Sequence, residues 1–416
     1  MAGKKRRGRR SLHVFGLTLI LTVALGSAVF LGGWALGGFG IPQLAVVRLE
    51  SQLAEFISEV SAAEDVRGNG KYAELLADEE FCRQQNIYAK EAASPDETTI
   101  VFAGDILLDD HYAVMAKLQQ RGGNIENAFS EEMLEVMRGA DVFMVNNEFP
   151  YTDRGVATEN KKFTFRAKPE YASYLLDMGV DIVSMANNHA YDYGEISLTD
   201  SIDTLNGIGM PFVGAGRNLE EAIRPVYFIV NDMKIAFISA TQIERTDNPD
   251  TKEATTTSPG VFRCWDVERL LEVVRNAEKV SDYVIVYIHW GTESTDEIDW
   301  AQKEQAPRIA AAGADLIIGD HPHVLQGIDY IGNTPVIYSL GNFLFNSKTQ
   351  DTCLVRAILD EESGSLKSFQ FIPALQKDCR TTIHEGTEKA RVIGHMRSLS
   401  PKVQIDEEGY VAVPEN

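Results

Sequence analysis

The stretch "SMANNHAYDYG", Ser184–Gly194, decides how this chain is read. It follows "MGVDIV", Met178–Val183, an apolar run of strand length, and sets two asparagines and a histidine where that strand should end. Turn residues collect at strand ends, so the stretch is readable as a plain loop. The same arrangement recurs along the chain. "VFAG" runs into Asp105, "VFMVNN" into Glu148, "VIVYI" into His289, and "LIIGD" into His321 and His323. In open α/β sheets the carboxyl ends of strands border the ligand crevice. Five strands thus deliver carboxylate, amide and imidazole groups to one edge, a ligand set suited to a divalent ion such as Zn²⁺, Mn²⁺ or Fe²⁺.

Each residue alone has a plainer reading. Asp105 is readable as a turn residue, and His289, followed by Trp290, as a hydrogen-bonded core histidine. The "HPH" of His321–His323 carries more weight. In extended backbone, positions i and i+2 point the same way, and Pro322 stiffens the segment. Asp192 lies three residues before Glu195, where a helix should begin, and is expected to cap it. Asn187 is expected to shape the turn through a hydrogen bond.

From Thr98 to about Gln376, apolar runs of strand length alternate with amphipathic stretches. Helices are expected near Glu126–Arg138, Pro169–Met178, Glu195–Gly207, Val267–Lys279 and Ala301–Ala312. This alternation predicts an α/β domain with buried strands. The later strands lie closer together, which suggests a second, partly antiparallel sheet. From Lys377 to Asn416 the rhythm fades, and a loosely packed tail is expected.

Residues 1–13 hold "KKRRGRR", and 14–41 form an uncharged apolar run. Its 28 residues exceed the roughly 20 that cross a bilayer as a helix. A single signal-anchor is expected, N-terminus cytoplasmic and main domain outside; a cleaved signal peptide is the alternative. Residues 42–97 read as a helical stalk ending in a linker. The chain's net charge is −22; setting aside the six cations of the first ten residues leaves −28 on the rest, which argues against nucleic acid as a partner. Cys82, Cys264, Cys353 and Cys379 form no C-x-x-C pair, and sequence alone cannot pair them.

The motifs "AGDILL", "NNEFP", "MANNHAYDYG", "FVGAGRNLEEA", "IHWGTE", "GDHPHVLQGI" and "IYSLGNFLF", in this order, resemble the CapA-type poly-γ-glutamate capsule-synthesis family. That family is similar in fold to the calcineurin-like metallophosphatases. The resemblance implies a four-layer α-β-β-α sandwich around one or two divalent ions (Mn, Zn or Fe). It implies Asp105, Glu148, Asn188, His289, His321 and His323 as metal ligands, with Glu148 bridging. It implies His189 as the proton donor to a leaving group. Asn187, Asp192, Glu293 and Asn342 are expected beside the ligands or the substrate, with Glu293 either orienting His289 or contacting substrate.

There are departures from the metallophosphatase pattern. Leu107 stands where a histidine ligand is usual, Glu148 where an aspartate is, and Asp320 where a small residue or histidine is; Asp109 or Asp110 are candidates to compensate for Leu107. The function expected is that of a membrane-anchored extracytoplasmic protein of poly-γ-glutamate or capsule biosynthesis. Its site would be a metal-dependent hydrolase of a phosphoester or a γ-glutamyl amide. The alternative is a non-catalytic synthesis, export or binding component. Expected partners are the membrane, polyglutamate synthesis or export proteins, and the polymer. The loop "TENKKFTFRAKPE" gathers Lys161, Lys162, Arg166 and Lys168, either as a solvated loop or as a local positive groove.

Overall fold

A computed structural model describes residues 70–243 and 251–412. The basic N-terminus, the apolar run 14–41 and the stalk as far as residue 69 lie outside the described residues. Among the described residues no helix is long and apolar enough to cross a membrane.

Two short helices, α1 (Ala73–Leu76) and α2 (Glu79–Gln84), lead into β1 (Ile87–Ala89). Then follow β2 (Glu97–Ile106), α3 (Ala113–Gln120), α4 (Glu131–Arg138), β3 (Val142–Asn147), α5 (Ser173–Met178), β4 (Ile182–Ser184) and α6 (Glu195–Gly207). The chain continues through β5 (Phe212–Val213), β6 (Ala215–Gly216), α7 (Leu219–Ala222), β7 (Val226–Val230), β8 (Met233–Thr241) and β9 (Gly260–Val261). Next come α8 (Glu268–Glu278), β10 (Tyr283–His289), α9 (Trp300–Ala311), β11 (Leu316–Asp320), β12 (Ile328–Ile331) and β13 (Thr334–Ile337). The last elements are β14 (Asn342–Leu344), β15 (Gln350–Asp360), β16 (Ser365–Lys377), β17 (Arg380–Ile383) and α10 (Gly386–Leu399).

The strands form two large sheets. One has the order β1-β7-β8-β10-β11-β13-β12, the other β17-β16-β15-β2-β3-β4-β5, with β14 added to β2. Alternation along each strand serves two layers at once. Ile100 and Phe102 of β2, with Met144 of β3, face Phe237, Ile285, Tyr287 and Ile318 of the opposite sheet. Val101, Ala103, Phe143 and Val145 turn the other way, onto Met115, Leu118, Met133, Leu175 and Leu198 of the helices α3 to α6. On the far side, Ala236, Ile238, Val284 and Val286 pack on Leu270 and Val274 of α8 and Ile309 of α9. The result is a mixed α/β fold layered helix, sheet, sheet, helix.

The second, partly antiparallel sheet is present, with β7–β8 and β12–β13 as its antiparallel pairs, while the later antiparallel strands β15, β16 and β17 extend the sheet that β2 begins. Two expectations require correction. Residues assigned to the stalk belong to the domain from residue 70 onward, because β1 pairs in parallel with β7 and Leu76, Cys82 and Ile87 pack on Ile229. The expected tail is structured too: Val392, Ile393 and Met396 of α10 reach the core between the sheets, and β17 pairs with β16. A helix whose buried positions are Val392, Ile393 and Met396 carries too weak a stripe to stand out beside its many charged neighbours.

Ile393 is 1 % exposed, so Ile393→Ala should destabilise the domain by about 2–5 kcal/mol. Urea denaturation of the full chain measures it; a loose tail would leave the midpoint unmoved.

Candidate metal centre

The parallel strands β2, β3 and β4 of one sheet and β8, β10 and β11 of the other end at the same edge. Two contacts hold the sheets together there. Ser184 Oγ and Ser239 Oγ lie 2.7 Å apart, and Tyr287 donates its hydroxyl to the Ala103 carbonyl at 2.9 Å. Gly104 lets Gly341 approach: a Cβ at Gly104 would sit 1.9 Å from the Gly341 carbonyl oxygen. Asp105 and Asn342 are thereby paired across β2 and β14.

Glu148, after β3, is the centre of the cluster. It is fully buried, and neither of its carboxylate oxygens has a hydrogen-bond partner. Three imidazoles surround it: His289 Nε2 at 3.7 Å, His189 Nε2 at 4.0 Å and His323 Nδ1 at 3.9 Å. Asp105 donates no proton to it; its oxygens instead accept from Asn146 Nδ2 at 2.8 Å and meet His323 Nδ1 at 2.9 Å. His323 Nδ1 also lies 2.9 Å from Asn342 Oδ1. His289 is held by its other nitrogen, with Nδ1 3.0 Å from Asp320 Oδ1. With the Nδ1 proton donated to Asp320, Nε2 and Asn188 Oδ1, 2.8 Å apart, both present lone pairs with no proton between them, as two ligands of one cation would. His321 Nδ1 is 3.0 Å from the same Nε2.

The electrostatics follow from burial. Desolvation, reinforced by Asp105 and Asp320, raises the Glu148 carboxyl well above its ordinary value of 4.5. Desolvation and Asp105 likewise raise Asp320. Burial also pushes Asp105 up, but the His323 hydrogen bond and charge outweigh it and leave the net shift downward. Burial lowers His289 from 6.5 to about 3, and lowers His321 well below its usual value. His189 is lowered by burial, against the pull of Asp192.

These atoms meet the requirements of a cation site. Buried polar groups without partners are costly, and here both oxygens of a carboxylate lack any. Among the described residues, the groups Glu148–His289–His321, Asp105–Glu148–His323 and Asp105–His289–Asp320 each bring three ligand atoms within 4.8 Å of one another. Glu148 is common to two of them, which suits a bridging carboxylate between two ions. The geometry thus brings together Asp105, Glu148, Asn188, His289, His321 and His323.

Several details differ from the sequence reading. The "HPH" segment is not extended. His321 and His323 have φ of 91° and 59°, a conformation that costs non-glycine residues about 1–3 kcal/mol each and recurs at functional sites. Asp192 does not cap α6, whose N-cap position is Gly194. Instead Asp192 Oδ2 lies 2.7 Å from His189 Nδ1 and accepts from the Phe165 N–H at 2.6 Å. Glu293 does not orient His289, a task Asp320 performs; it is exposed and groups with His321 and His323. Asp109 and Asp110 do not replace the ligand lost at Leu107. Asp109 accepts from the N–H groups of His111 and Arg166, each at 2.8 Å, and Asp110 is engaged by Lys168 and Tyr171. Leu107 itself is buried in the outer core.

Asn187 does shape the turn. Its Oδ1 accepts from the His189 N–H at 3.0 Å, while its Nδ2 donates to Asn146 Oδ1 and the Asn147 carbonyl, both at 3.0 Å. The four cations of the Thr158–Glu170 loop form no common groove. Lys161 is buried on Asp192, Arg166 lies over the Tyr193 ring, Lys162 over Phe163, and Lys168 pairs with Asp110. The sequence reading passed over Asn146 and the rings of Phe165 and Phe345, which pack on His189 and His323. The asparagine pair ending "VFMVNN" was the available signal. Cys264, Cys353 and Cys379 are buried and form no disulfide.

A raised carboxyl pKa has a defined effect on stability. Unfolded Glu148 loses its proton near 4.5 while the folded form retains it, so in metal-free protein raising the pH above 4.5 favours unfolding. Thermal melts in chelator between pH 5 and pH 8 should show this loss diminished in Glu148→Gln; an unchanged slope would contradict the assignment.

Residues 99–347 match the profile of a family described as bacterial capsule synthesis protein PGA_cap. The PGA biosynthesis protein CapA of Bacillus subtilis is 31% identical over 268 residues, which cover 63% of this chain and 68% of that protein. The capsule biosynthesis protein CapA of Bacillus anthracis is 28% identical over 281 residues, covering 65% and 66%. Among solved structures, a phosphatase of Mycoplasma pneumoniae superposes with a TM-score of 0.42 at 16% identity, covering 68% of this chain and 95% of that one, too loosely to bear on the chemistry. The cluster described above falls wholly within the matched residues, and the chain belongs to the bacterial capsule synthesis protein family PGA_cap.

Proposed function

We propose that this protein is a metal-dependent hydrolase of poly-γ-glutamate or capsule biosynthesis, cleaving a phosphoester or a γ-glutamyl amide. The observation that carries the reading is Glu148, a buried carboxylate with both oxygens unpartnered amid His189, His289 and His323. Asp105, Glu148 and His323 would hold one ion, and Glu148, Asn188, His289 and His321 a second, with Asp320 orienting His289. When bound, such ions supply Lewis acidity, making water acidic enough to attack near neutral pH and offsetting charge on the group attacked.

The remaining chemistry belongs to the chain. Asp192 engages Nδ1 of His189, which leaves Nε2 directed at Glu148 and the site. That nitrogen is placed to hand a proton to a departing oxygen or nitrogen. Phe165 covers one face of the His189 ring, with centroids 4.2 Å apart, and limits water there. The site faces the extracytoplasmic side on this reading, with residues 14–41 as the anchor. The family names carry the link to capsule polymer: one relative is a PGA biosynthesis protein, another a capsule biosynthesis protein.

Two measurements test the proposal. Purified full chain with Mn²⁺ or Zn²⁺ should turn over a phosphodiester, a phosphomonoester or a γ-glutamyl amide, and His189→Ala should lower kcat by about 10²–10⁴-fold with metal content unchanged. Asp320→Asn should weaken metal binding by about 10–100-fold in a chelator competition, since a group that orients a ligand histidine commonly has that effect. Metal-loaded protein inert toward all three substrates would overturn the hydrolase reading.

A further inference from the structure

The loop Thr158–Glu170 reaches the site through one buried cation. Lys161 has a side chain only 4 % exposed, and its Nζ lies 2.6 Å from Asp192 Oδ1. The same Nζ donates to the backbone carbonyl of Asn188. Lys161 therefore joins the residue that grips His189 to the residue that precedes it. A buried lysine is expensive unless paired and hydrogen-bonded, so its presence here calls for a reason.

Other contacts of the loop converge on the same place. The Phe165 N–H donates to Asp192 Oδ2, the oxygen that also engages His189 Nδ1. The Phe165 ring lies on the imidazole, tilted by 33°, and packs edge-on against Phe345 at 5.5 Å. At the loop's start, both the N–H and the hydroxyl of Thr158 donate to the Asp192 carbonyl, at 2.8 and 3.0 Å. Asp192 is thus held through its backbone carbonyl and both carboxylate oxygens. Rotation of its carboxylate, which would release the imidazole, breaks at least one of these bonds.

We propose that Lys161 is a positioning residue for the reaction: by pinning Asp192 and the Asn188 carbonyl together, it fixes the aim of His189 Nε2 into the site. Lys161 does not itself touch the reacting atoms. Two of its three N–H groups go to Asp192 and Asn188 and its side chain is almost wholly buried, so it is not set out as a substrate-binding cation. The other three cations of the loop play no part in this, since they face Phe163, Tyr193 and Asp110. The inference rests on the hydrolase reading for its kinetic consequence, and on geometry alone for its structural one.

The test uses metal-loaded full chain carrying Lys161→Met, with Lys161→Arg as the charge-conserving variant. Hydrogen exchange followed by mass spectrometry should show the amides of His189 and Phe165 exchanging about tenfold faster or more in Lys161→Met, as expected for loss of a bond to a charged group. Lys161→Arg should restore much of the protection. Wild-type exchange in both stretches would overturn the proposal, as would acceleration spread evenly over the domain. The kinetic arm compares a phosphodiester that loses p-nitrophenolate, which departs unprotonated, with one that loses an alkoxide, which needs a proton. Misplacing the donor should lower kcat for the alkoxide ester by about 10²-fold with KM held, and spare the nitrophenyl ester. Equal losses on both esters would overturn the proposal. If the wild-type chain hydrolyses neither, phosphodiester cleavage is ruled out as its reaction, and exchange alone decides whether Lys161 fixes His189.

Discussion

A carboxylate buried without a proton donor governs this structure. Glu148 sits at the end of β3 with no exposed surface and no hydrogen bond to either oxygen. Removing such a group from water costs several kcal/mol unless positive charge compensates it. Neutral imidazoles cannot do so fully, and burial holds His289 and His321 in the neutral form. Without a cation the carboxyl is held protonated instead, its pKa raised by burial; a cation would supply the compensating charge. Every other member of the cluster is placed by its relation to that requirement.

The fold meets it by bringing two sheets to a common edge. Asp105, Glu148 and the Asn187–His189 turn follow strands of one sheet, whereas His289 and the His321–His323 segment follow strands of the other. Neither sheet alone holds the full set. Their approach depends on small groups, including Gly104 beneath Gly341 and the Ser184–Ser239 contact. Around this centre lies a ring of supporting bonds. Asp320 holds His289, Asn146 holds Asp105, and Asp192 holds His189. Backbone strain falls here too, in the positive φ angles of His321 and His323. Positions that a side chain disfavours persist only where surrounding contacts dictate them.

Much of this was legible in the residues because strand-end chemistry has a simple signature. An apolar run that stops at a carboxylate, amide or imidazole marks both a strand and a potential ligand, and the helices α4, α5, α6, α8 and α9 fell close to their expected positions. What failed did so for identifiable reasons. Asp192 has the spacing of a helix cap, but a three-residue separation also places a carboxylate against the preceding histidine, and Gly194 then begins the helix. The "HPH" pair suggests extended backbone because proline favours that state in the residue before it. The contacts of the cluster override such preferences, with His321 Nδ1 against His289 Nε2 and His323 Nδ1 against Asp105 and Asn342. Lys161 stands among basic neighbours in the sequence, and charge in a sequence carries no information on burial.

By itself the sequence determined the alternation of strands and helices, the order of the motifs, and the identity of the groups that meet at the edge. These are local properties, written in periodicity and in the residue that ends each run. Only the tertiary structure decided which sheet each strand joins, that β15, β16 and α10 complete the core, and which nitrogen of each histidine faces the centre. It also decided which acids enter the cluster and which hold its histidines in place. Those choices depend on distances between residues far apart in the chain, and burial, not composition, sets what a charge at such a distance must pair with.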